Sequence, residues 1–156
     1  MLLARNESGA LITSAYVPDT DAEDAWLQRL ARQVSPRVLR LPRALDEARR
    51  ELDDYLRGQR KDFDVPIALV LATSFQRIVL GHLPGAVAYG HRTTYGALAK
   101  EIERPSASRA VGAALGANPL CVVLPCHRVV ASSGALTGYA GGLAAKEYLL
   151  RLDSSP

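Results

Sequence analysis

Hydrophobic positions in the first sixty residues follow two different periods. Residues 2–17 are rich in apolar side chains over short stretches interrupted by Ser8-Gly9, which predicts one or two strands of a small sheet. Residues 21–33 and 44–57 instead place apolar side chains three and four positions apart, which predicts two amphipathic helices. Gly58 follows the second stretch, where a helix often ends. We therefore expect a small sheet with two helices in this part of the chain.

A second series of helical patterns follows a polar, proline-bearing stretch. Thr73 and Gln76 have capping-box spacing, which predicts a helix through His82 that Pro84-Gly85 ends. Two further helices are predicted, one over residues 94–103 and one that starts near Ser106 and halts at Gly116-Ala117-Asn118-Pro119. We place a boundary near residue 72, between an N-terminal scaffold lobe, residues 1–72, and a mostly helical lobe, residues 73–156.

The last two of these helices have the lengths and spacing of a helix-turn-helix. Small side chains at Gly112, Ala113 and Ala114 would let the second helix approach DNA closely. They would equally let two helices pack against each other, and the pattern alone favours neither interpretation. Arg109 shifts the balance slightly towards DNA, because it lies early in the second helix, where its side chain could reach a groove.

Candidate chemistry begins at a cysteine after a short apolar run. Residues 120–124 read as a buried strand, and Pro125 then ends it just before Cys126-His127-Arg128. A cysteine at a strand exit beside a histidine and an arginine has the electropositive surroundings that lower a thiol pKa. Cys121 lies inside the apolar run and fits a small buried hydrophobe. The sequence therefore predicts that Cys126 is the reactive thiol.

Composition and charge narrow the function classes. The 156 residues are 48% hydrophobic, which is enough for one core or two packed lobes, and no apolar run is long enough to span a bilayer. The first residues lack a signal-peptide layout, and two cysteines are too few for a disulfide framework, so we expect a cytoplasmic protein. Residues 1–72 carry 11 basic and 12 acidic side chains, and residues 73–156 carry 8 and 4. The basic half is the one that would contact an anionic polymer, although a mildly basic face also serves solubility.

The motifs around Cys126 resemble those of one known family. Pro125-Cys126-His127-Arg128-Val129 is similar to the active-site signature of the O6-alkylguanine-DNA alkyltransferases, and other motifs match on both sides in the same order. Together they cover about residues 73–152. The matching segments are Phe75-Gln76, Thr94-Tyr95-Gly96-Ala97-Leu98-Ala99, Arg109-Ala110-Val111-Gly112, Asn118-Pro119, Gly134, Gly138-Tyr139-Ala140-Gly141-Gly142 and Lys146-Glu147.

This resemblance implies irreversible transfer of an alkyl group from O6 of guanine to Cys126. His127 would act on the thiol as a base through a bound water, and Glu147 would hold the imidazole in the useful tautomer. Tyr95 would donate a hydrogen bond to a guanine ring nitrogen, although its helical spacing also fits core packing. Asn118 corresponds to the asparagine hinge of the family and is counted among the catalytic residues.

The resemblance also implies double-stranded DNA as partner, with the helix-turn-helix on the minor groove and the damaged base rotated out of the stack. Arg109 would fill the vacated space, while Val129, Tyr139 and Ala140 would line the base pocket. The remaining DNA or substrate contacts are expected from Thr94, Gly112, Ala113 and Arg128. Repair of O4-alkylthymine is also conceivable for such a site.

Two departures from the family pattern modify these expectations. Ala140 stands where some members have serine, which leaves only its backbone amide to contact O6. Residues 1–72 contain neither cysteine nor histidine, so the structural zinc that some members hold there is not expected. We expect no cofactor, no metal and a monomer.

The sequence thus predicts a two-lobe α/β (α+β) protein with a winged-helix-like DNA-binding element. Three rival functions remain distinguishable. A non-catalytic alkyltransferase-like protein would lack the nucleophile, a cysteine hydrolase would turn over, and a helix-turn-helix regulator would bind one DNA sequence without a change in its own mass.

Overall fold

The computed structural model describes residues 1–155, and its first two strands form a hairpin. β1 (Leu2–Arg5) pairs antiparallel with β2 (Leu11–Ala15), with Leu2 opposite Ala15. Gly9 adopts φ +89° in the connecting turn, a conformation that favours glycine. All five residues of β2 are buried. The hairpin confirms the predicted strands and places β2 against the rest of the molecule.

Two helices follow the hairpin. α1 (Thr20–Gln33) begins after Asp19, whose carboxylate accepts a hydrogen bond from the Ala22 amide at 2.8 Å. A 3-10 turn (Pro42–Leu45) then leads directly into α2 (Asp46–Leu56). The predicted helix at 44–57 is therefore confirmed, except that its first residues belong to the tighter turn.

The third helix is longer than its sequence pattern predicts. α3 (Ser74–Ala86) begins with a capping box between Thr73 and Gln76, as expected, but it passes through Pro84 instead of ending there. Proline has no amide hydrogen to donate, yet the helix continues past it to Ala86. The Val87 amide still donates to the Leu83 carbonyl at 3.2 Å. The expectation that Pro84-Gly85 ends the helix is thus wrong.

The predicted helix-turn-helix pair is formed by α4 (Tyr95–Glu101) and α5 (Ser108–Gly116). The Thr94 hydroxyl caps α4 by accepting the Ala97 amide at 3.1 Å. Pro105 lies in the connection between the two helices. Both helices pack around α3, and their buried residues belong to one core with Val79 and Leu80.

The apolar run at residues 120–124 is a tight turn, and the predicted strand is not formed. The Leu124 amide donates to the Leu120 carbonyl at 2.8 Å, and Val122 adopts φ +73°, which strains a β-branched residue. The run is apolar because the turn inserts into the core, where Val122 packs against Tyr55. A short apolar run cannot distinguish these two structures by its periodicity.

β2 holds this turn in place. The Ser14 hydroxyl donates to the Cys121 carbonyl at 2.5 Å, and the Ser14 amide donates to the Pro119 carbonyl at 2.8 Å. A second 3-10 turn (Cys126–Arg128) follows, and then β4 (Val129–Val130), which pairs in parallel with β3 (Thr93–Thr94). The last helix is α6 (Gly142–Asp153). None of the helices within residues 1–155 is both long and apolar enough to cross a bilayer.

The buried side chains form a core that runs across the predicted lobe boundary. Leu11 and Ala48 belong to the same cluster as Leu80, Leu98 and the other core residues of α3 to α5. A second cluster joins Leu52 and Tyr55 of α2 to Leu149 of α6. The division near residue 72 stays a prediction, and we refer below to residues 1–72 as the N-terminal region.

Candidate active site

Cys126 is the first residue of the second 3-10 turn, and Asn118 holds it there. The Cys126 side chain is almost fully buried, at 5% exposure. Asn118 Nδ2 donates to Cys126 Sγ at 3.1 Å and to the Leu124 carbonyl at 3.2 Å. The Asn118 carbonyl oxygen Oδ1 accepts the Leu120 amide at 2.9 Å. One buried amide therefore fixes the Cys126 sulfur together with both ends of the preceding turn.

The surroundings of Cys126 favour its thiolate. The neighbouring Cys121 side chain lowers the pKa of Cys126 most, and the Asn118 amide and the Lys146 charge lower it further, against the opposing effect of burial. The Cys121 pKa is raised by the same pairing and by burial. These surroundings favour Cys126 over Cys121 as the nucleophile. The largest contributions that lower this pKa come from Cys121, Asn118 and Lys146, whereas the sequence pointed to His127 and Arg128.

His127 is fully buried and pairs with a carboxylate that the sequence motifs did not identify. Its Nε2 lies 3.2 Å from Oδ2 of Asp153 and 3.3 Å from the Tyr55 hydroxyl. Nδ1 is buried and has no hydrogen-bond partner within residues 1–155. Burial lowers the pKa of His127 despite the attraction of Asp153, so the imidazole is neutral at pH 7. A neutral imidazole with one unpartnered nitrogen can act as a base.

The expectation that Glu147 holds His127 is wrong. Glu147 is exposed on α6. The buried face of this helix carries Lys146, Leu149, Leu150 and Asp153, at spacings of three, four and seven residues. The signal for Asp153 was therefore present in the helical period, which places position 147 on the opposite face.

Arg128 is also placed differently from expectation, because it is buried and not available to DNA. Its Nε donates to Oδ2 of Asp153 at 2.6 Å, and its Nη1 donates to the Val87 carbonyl at 3.3 Å. Hydrogen bonds from His127, Tyr55 and Arg128 lower the Asp153 pKa and outweigh burial, which is the largest single effect and raises it. Asp153 is thus an ionised carboxylate that balances the buried guanidinium.

The loop at residues 134–141, which carries the expected pocket residues Tyr139 and Ala140, lies over this centre. The Tyr139 ring stands nearly perpendicular to the His127 ring at 6.4 Å and to the Tyr16 ring at 5.6 Å. The Tyr16 and Tyr139 hydroxyls are 3.4 Å apart. A side chain in place of Gly141 would overlap the Tyr16 ring at 2.6 Å, so glycine is needed there. Tyr16 of the N-terminal region thus contacts a loop that was expected to bind the base.

Lys146 ties the loop to β4. Its buried amino group donates to the Val129 carbonyl at 2.7 Å and to the Thr137 carbonyl at 3.1 Å. The Thr137 hydroxyl lies 2.9 Å from the Tyr95 hydroxyl. Ala140 is exposed. The structure therefore brings Tyr95, Val129 and the loop together.

The residues expected to contact DNA divide into two groups. Arg109 and Ala113 lie exposed on α5. Thr94 is partly buried and its hydroxyl is used in the α4 cap, and Gly112 lies 3.7 Å from the Tyr95 ring, measured from an ideal Cβ position. Of these four residues, Arg109 and Ala113 are therefore the two whose side chains are exposed.

Four residues near the centre were absent from the sequence prediction: Tyr16, Tyr55, Lys146 and Asp153. Lys146 was noticed only as part of a motif, and the two tyrosines carry no local signal, since their partners lie more than 70 residues away along the chain. Within residues 1–155, no three histidine, cysteine, aspartate or glutamate side chains are grouped so that they could bind a metal ion.

Comparisons with known proteins agree with this geometry. The model of the 6-O-methylguanine DNA methyltransferase DNA-binding domain matches residues 74–155. A methylated-DNA–protein-cysteine methyltransferase of Methanosarcina acetivorans is 49% identical over 109 residues, which are 70% of this chain and 69% of that protein.

Two solved structures extend the likeness to the whole fold. Mycobacterium tuberculosis OGT in complex with DNA matches with a TM-score of 0.81 at 34% identity, over 97% of this chain and 84% of its own. The O6-methylguanine-DNA methyltransferase of Pyrococcus kodakaraensis matches with a TM-score of 0.75 at 26% identity, over 98% of this chain and 89% of its own. The predicted α/β fold class is confirmed, and the chain belongs to the O6-alkylguanine-DNA alkyltransferases, the methylated-DNA–protein-cysteine methyltransferases.

Proposed function

We infer that this protein repairs DNA directly, by moving an alkyl group from O6 of guanine to Cys126. One observation carries the inference: Cys126, whose pKa is lowered, is held by Asn118 at 3.1 Å and is followed by a neutral histidine with an unpartnered nitrogen. A nucleophile with an adjacent base is the arrangement that displacement at an alkyl carbon requires.

The reaction is an in-line displacement. The Cys126 thiolate attacks the alkyl carbon, a C–S bond forms, and the C–O6 bond breaks with its electron pair passing to the purine. His127 accepts the thiol proton at Nδ1, through a water that bridges to the sulfur. Tyr95 exchanges its contact with Thr137 for a guanine ring nitrogen and stabilises the charge that develops there.

Each molecule acts once. A thioether has no leaving route under mild conditions, so the thiol is not regenerated. No cofactor enters the reaction as proposed. The protein is consumed in proportion to the lesions that it repairs.

DNA is bound through the helix-turn-helix on the minor groove. That groove carries little sequence information, which suits repair at any position. Exposed Arg109 on α5 enters the stack and fills the space of the rotated base, while the small side chain of Ala113 allows close approach. Arg128 has no part in this contact, because Asp153 holds it inside the protein.

The rotated guanine occupies the space between β4 and the loop at residues 134–141. Tyr139 stacks at one side, the Ala140 amide donates to O6, and backbone groups of Cys126 and Val129 read the amino group. Without a serine at position 140 the pocket has more room beside O6. Residues 73–156 are the DNA-binding and alkyl-acceptor part and residues 1–72 the scaffold.

The protein works as a monomer in the cytoplasm. Both cysteines are free thiols, and the reducing conditions of the cytoplasm keep Cys126 available as a nucleophile.

The test is the mass of the protein after incubation with duplex DNA that carries O6-methylguanine. We expect one added methyl on the peptide that contains Cys126, and none in Cys126→Ala. Cys121→Ala serves as the matched control and should still be methylated. An unmodified Cys126 with the lesion still in the DNA would overturn the proposal, and release of methyl with continued turnover would indicate a hydrolase.

A further inference from the structure

Tyr55 belongs to α2 in the N-terminal region, yet its hydroxyl contacts the side chains of His127, Arg128 and Asp153. The side chain is 1% exposed. Its hydroxyl donates to Oδ1 of Asp153 at 2.5 Å and lies 3.3 Å from Nε2 of His127. Nη2 of Arg128 donates to the Tyr55 hydroxyl oxygen at 3.3 Å. A scaffold residue would not need to contact all three side chains.

The hydrogens available to these groups determine the state of His127. The single Tyr55 hydroxyl hydrogen points to Asp153, which is the shortest of its contacts, so the tyrosine oxygen can only accept from His127. Oδ2 of Asp153 is ionised and can also only accept. Nε2 of His127 must therefore carry the hydrogen. In the neutral imidazole, Nδ1 is then the nitrogen with a free lone pair.

We propose that Tyr55 is a positioning residue for alkyl transfer, which fixes Asp153 and His127 so that Nδ1 is the ring nitrogen that accepts the Cys126 proton. This inference rests on the proposed function. It gives the N-terminal region a part in the reaction beyond scaffolding. The Tyr55 hydroxyl comes from α2 and is, with Asp153, one of the two acceptors beside the Nε2–H group of His127.

The Tyr55 hydroxyl also affects the pH at which the His127–Asp153 pair gains a proton. Donation from Tyr55 stabilises the carboxylate and helps to keep the Asp153 pKa low. Removal of this donor should raise the pH at which the His127–Asp153 pair is protonated. The other titratable or charged groups that face this pair remain unchanged: Tyr89 after α3, Cys126 and Arg128 in the 3-10 turn, Tyr139 in the loop and Lys146 on α6.

The experiment is Tyr55→Phe in the full chain, with Tyr148→Phe as matched control. Phenylalanine keeps the ring against Phe63 at 5.1 Å and Tyr89 at 6.1 Å. Tyr148 of α6 also bridges to α2, because its hydroxyl donates to the Leu56 carbonyl at 2.9 Å, but it does not touch His127 or Asp153. The control therefore removes an exposed hydrogen bond between the same two helices and leaves the buried contacts to His127 and Asp153 in place.

We expect the second-order rate constant for transfer from lesion-bearing duplex DNA to fall about tenfold in Tyr55→Phe, a part of what a positioned base contributes. The acid limb of the pH–rate profile should move to higher pH, and affinity for DNA should not change. Tyr148→Phe should match the wild type in rate and profile. A lower rate with an unmoved acid limb would indicate a structural role only and would overturn the inference.

A measurement on the wild type keeps the test valid should Tyr55→Phe not fold. Nitrogen NMR of labelled histidine should show His127 as the Nε2–H tautomer, with a slowly exchanging Tyr55 hydroxyl proton close to its ring. The Nδ1–H tautomer would overturn the inference. Failure of the proposed function is distinct, since the wild type itself would then not take up the alkyl group.

Discussion

Asp153→Asn tests the buried relay most directly, because it removes one charge from a set of matched partners. Asp153 accepts hydrogen bonds from Arg128 Nε at 2.6 Å and Tyr55 at 2.5 Å, and His127 Nε2 lies 3.2 Å away. The two side chains of the ion pair are only 6% and 2% exposed. Asparagine keeps the shape but leaves the Arg128 charge without a counter-ion. Breaking a buried pair in this way costs about 3–5 kcal/mol of folding free energy.

The effect on stability has a defined pH dependence. The Asp153 pKa is lowered on folding, so its contribution is complete above the ordinary carboxyl pKa and is lost as pH falls through the folded value. The difference in unfolding free energy between wild type and Asp153→Asn should therefore be full at neutral pH and should shrink below about pH 4. Urea denaturation of both proteins across this range measures it.

The effect on alkyl transfer is measured separately at a temperature where both proteins are folded. Without the carboxylate, His127 loses its orienting partner, and the single-turnover rate should fall by about 100-fold. Glu147→Gln is the matched control on the same helix; Glu147 is exposed, so its rate should stay at the wild-type level and its stability within about 0.5 kcal/mol. A larger loss of rate in Glu147→Gln than in Asp153→Asn would refute this account of the site.

Two further substitutions separate DNA capture from thiol activation. Arg109→Ala should slow transfer from duplex DNA far more than transfer from free O6-alkylguanine, because the free base needs no rotation out of a stack; equal slowing in the two assays would exclude the stacking role. Asn118→Ala removes the 3.1 Å donor to Cys126 Sγ and should raise the thiol pKa, seen as a shift to higher pH in the rate of labelling by iodoacetamide. It should also cost about 1 kcal/mol for each of the lost contacts to Leu120 and Leu124, and an unshifted labelling profile would remove Asn118 from thiol activation.

Local signals predicted most of the helices well. The helical periods of residues 20–33, 46–56 and 95–101 agree closely with the structure, since each helix has an apolar face of its own. Asp19 and Thr94 cap the first and the last of these helices, whereas 46–56 begins without a side-chain cap. Pro84 was expected to end the third helix, but the helix passes through it to Ala86. Residues 120–124 were expected to form a strand, because they are all apolar. Apolar character does not indicate the backbone angle φ, and Val122 has φ +73°, which belongs to a turn.

The partners of the cysteine and histidine were harder to predict, because they depend on contacts between distant parts of the chain. Glu147 was chosen for its place in a motif, whereas helix geometry puts Asp153 on the buried face. Tyr55 and His127 are separated by 72 positions, and no periodicity within either segment indicates that they meet. Such pairs become visible only when the packing of α2 against α6 is known.

The N-terminal region also determines the geometry of the turn that leads to Cys126. Val122 would relax from φ +73° if the turn were free, since a β-branched residue strongly disfavours that conformation. On one side of the turn, Ser14 donates hydrogen bonds to the Cys121 and Pro119 carbonyls. On the other side, Asn118 accepts the Leu120 amide. Residues 74–155, which match the family model, therefore contain the nucleophile but not Ser14 or Tyr55. Because both residues act at the reactive centre, the strain in the turn and the state of His127 depend on residues 1–72 remaining docked.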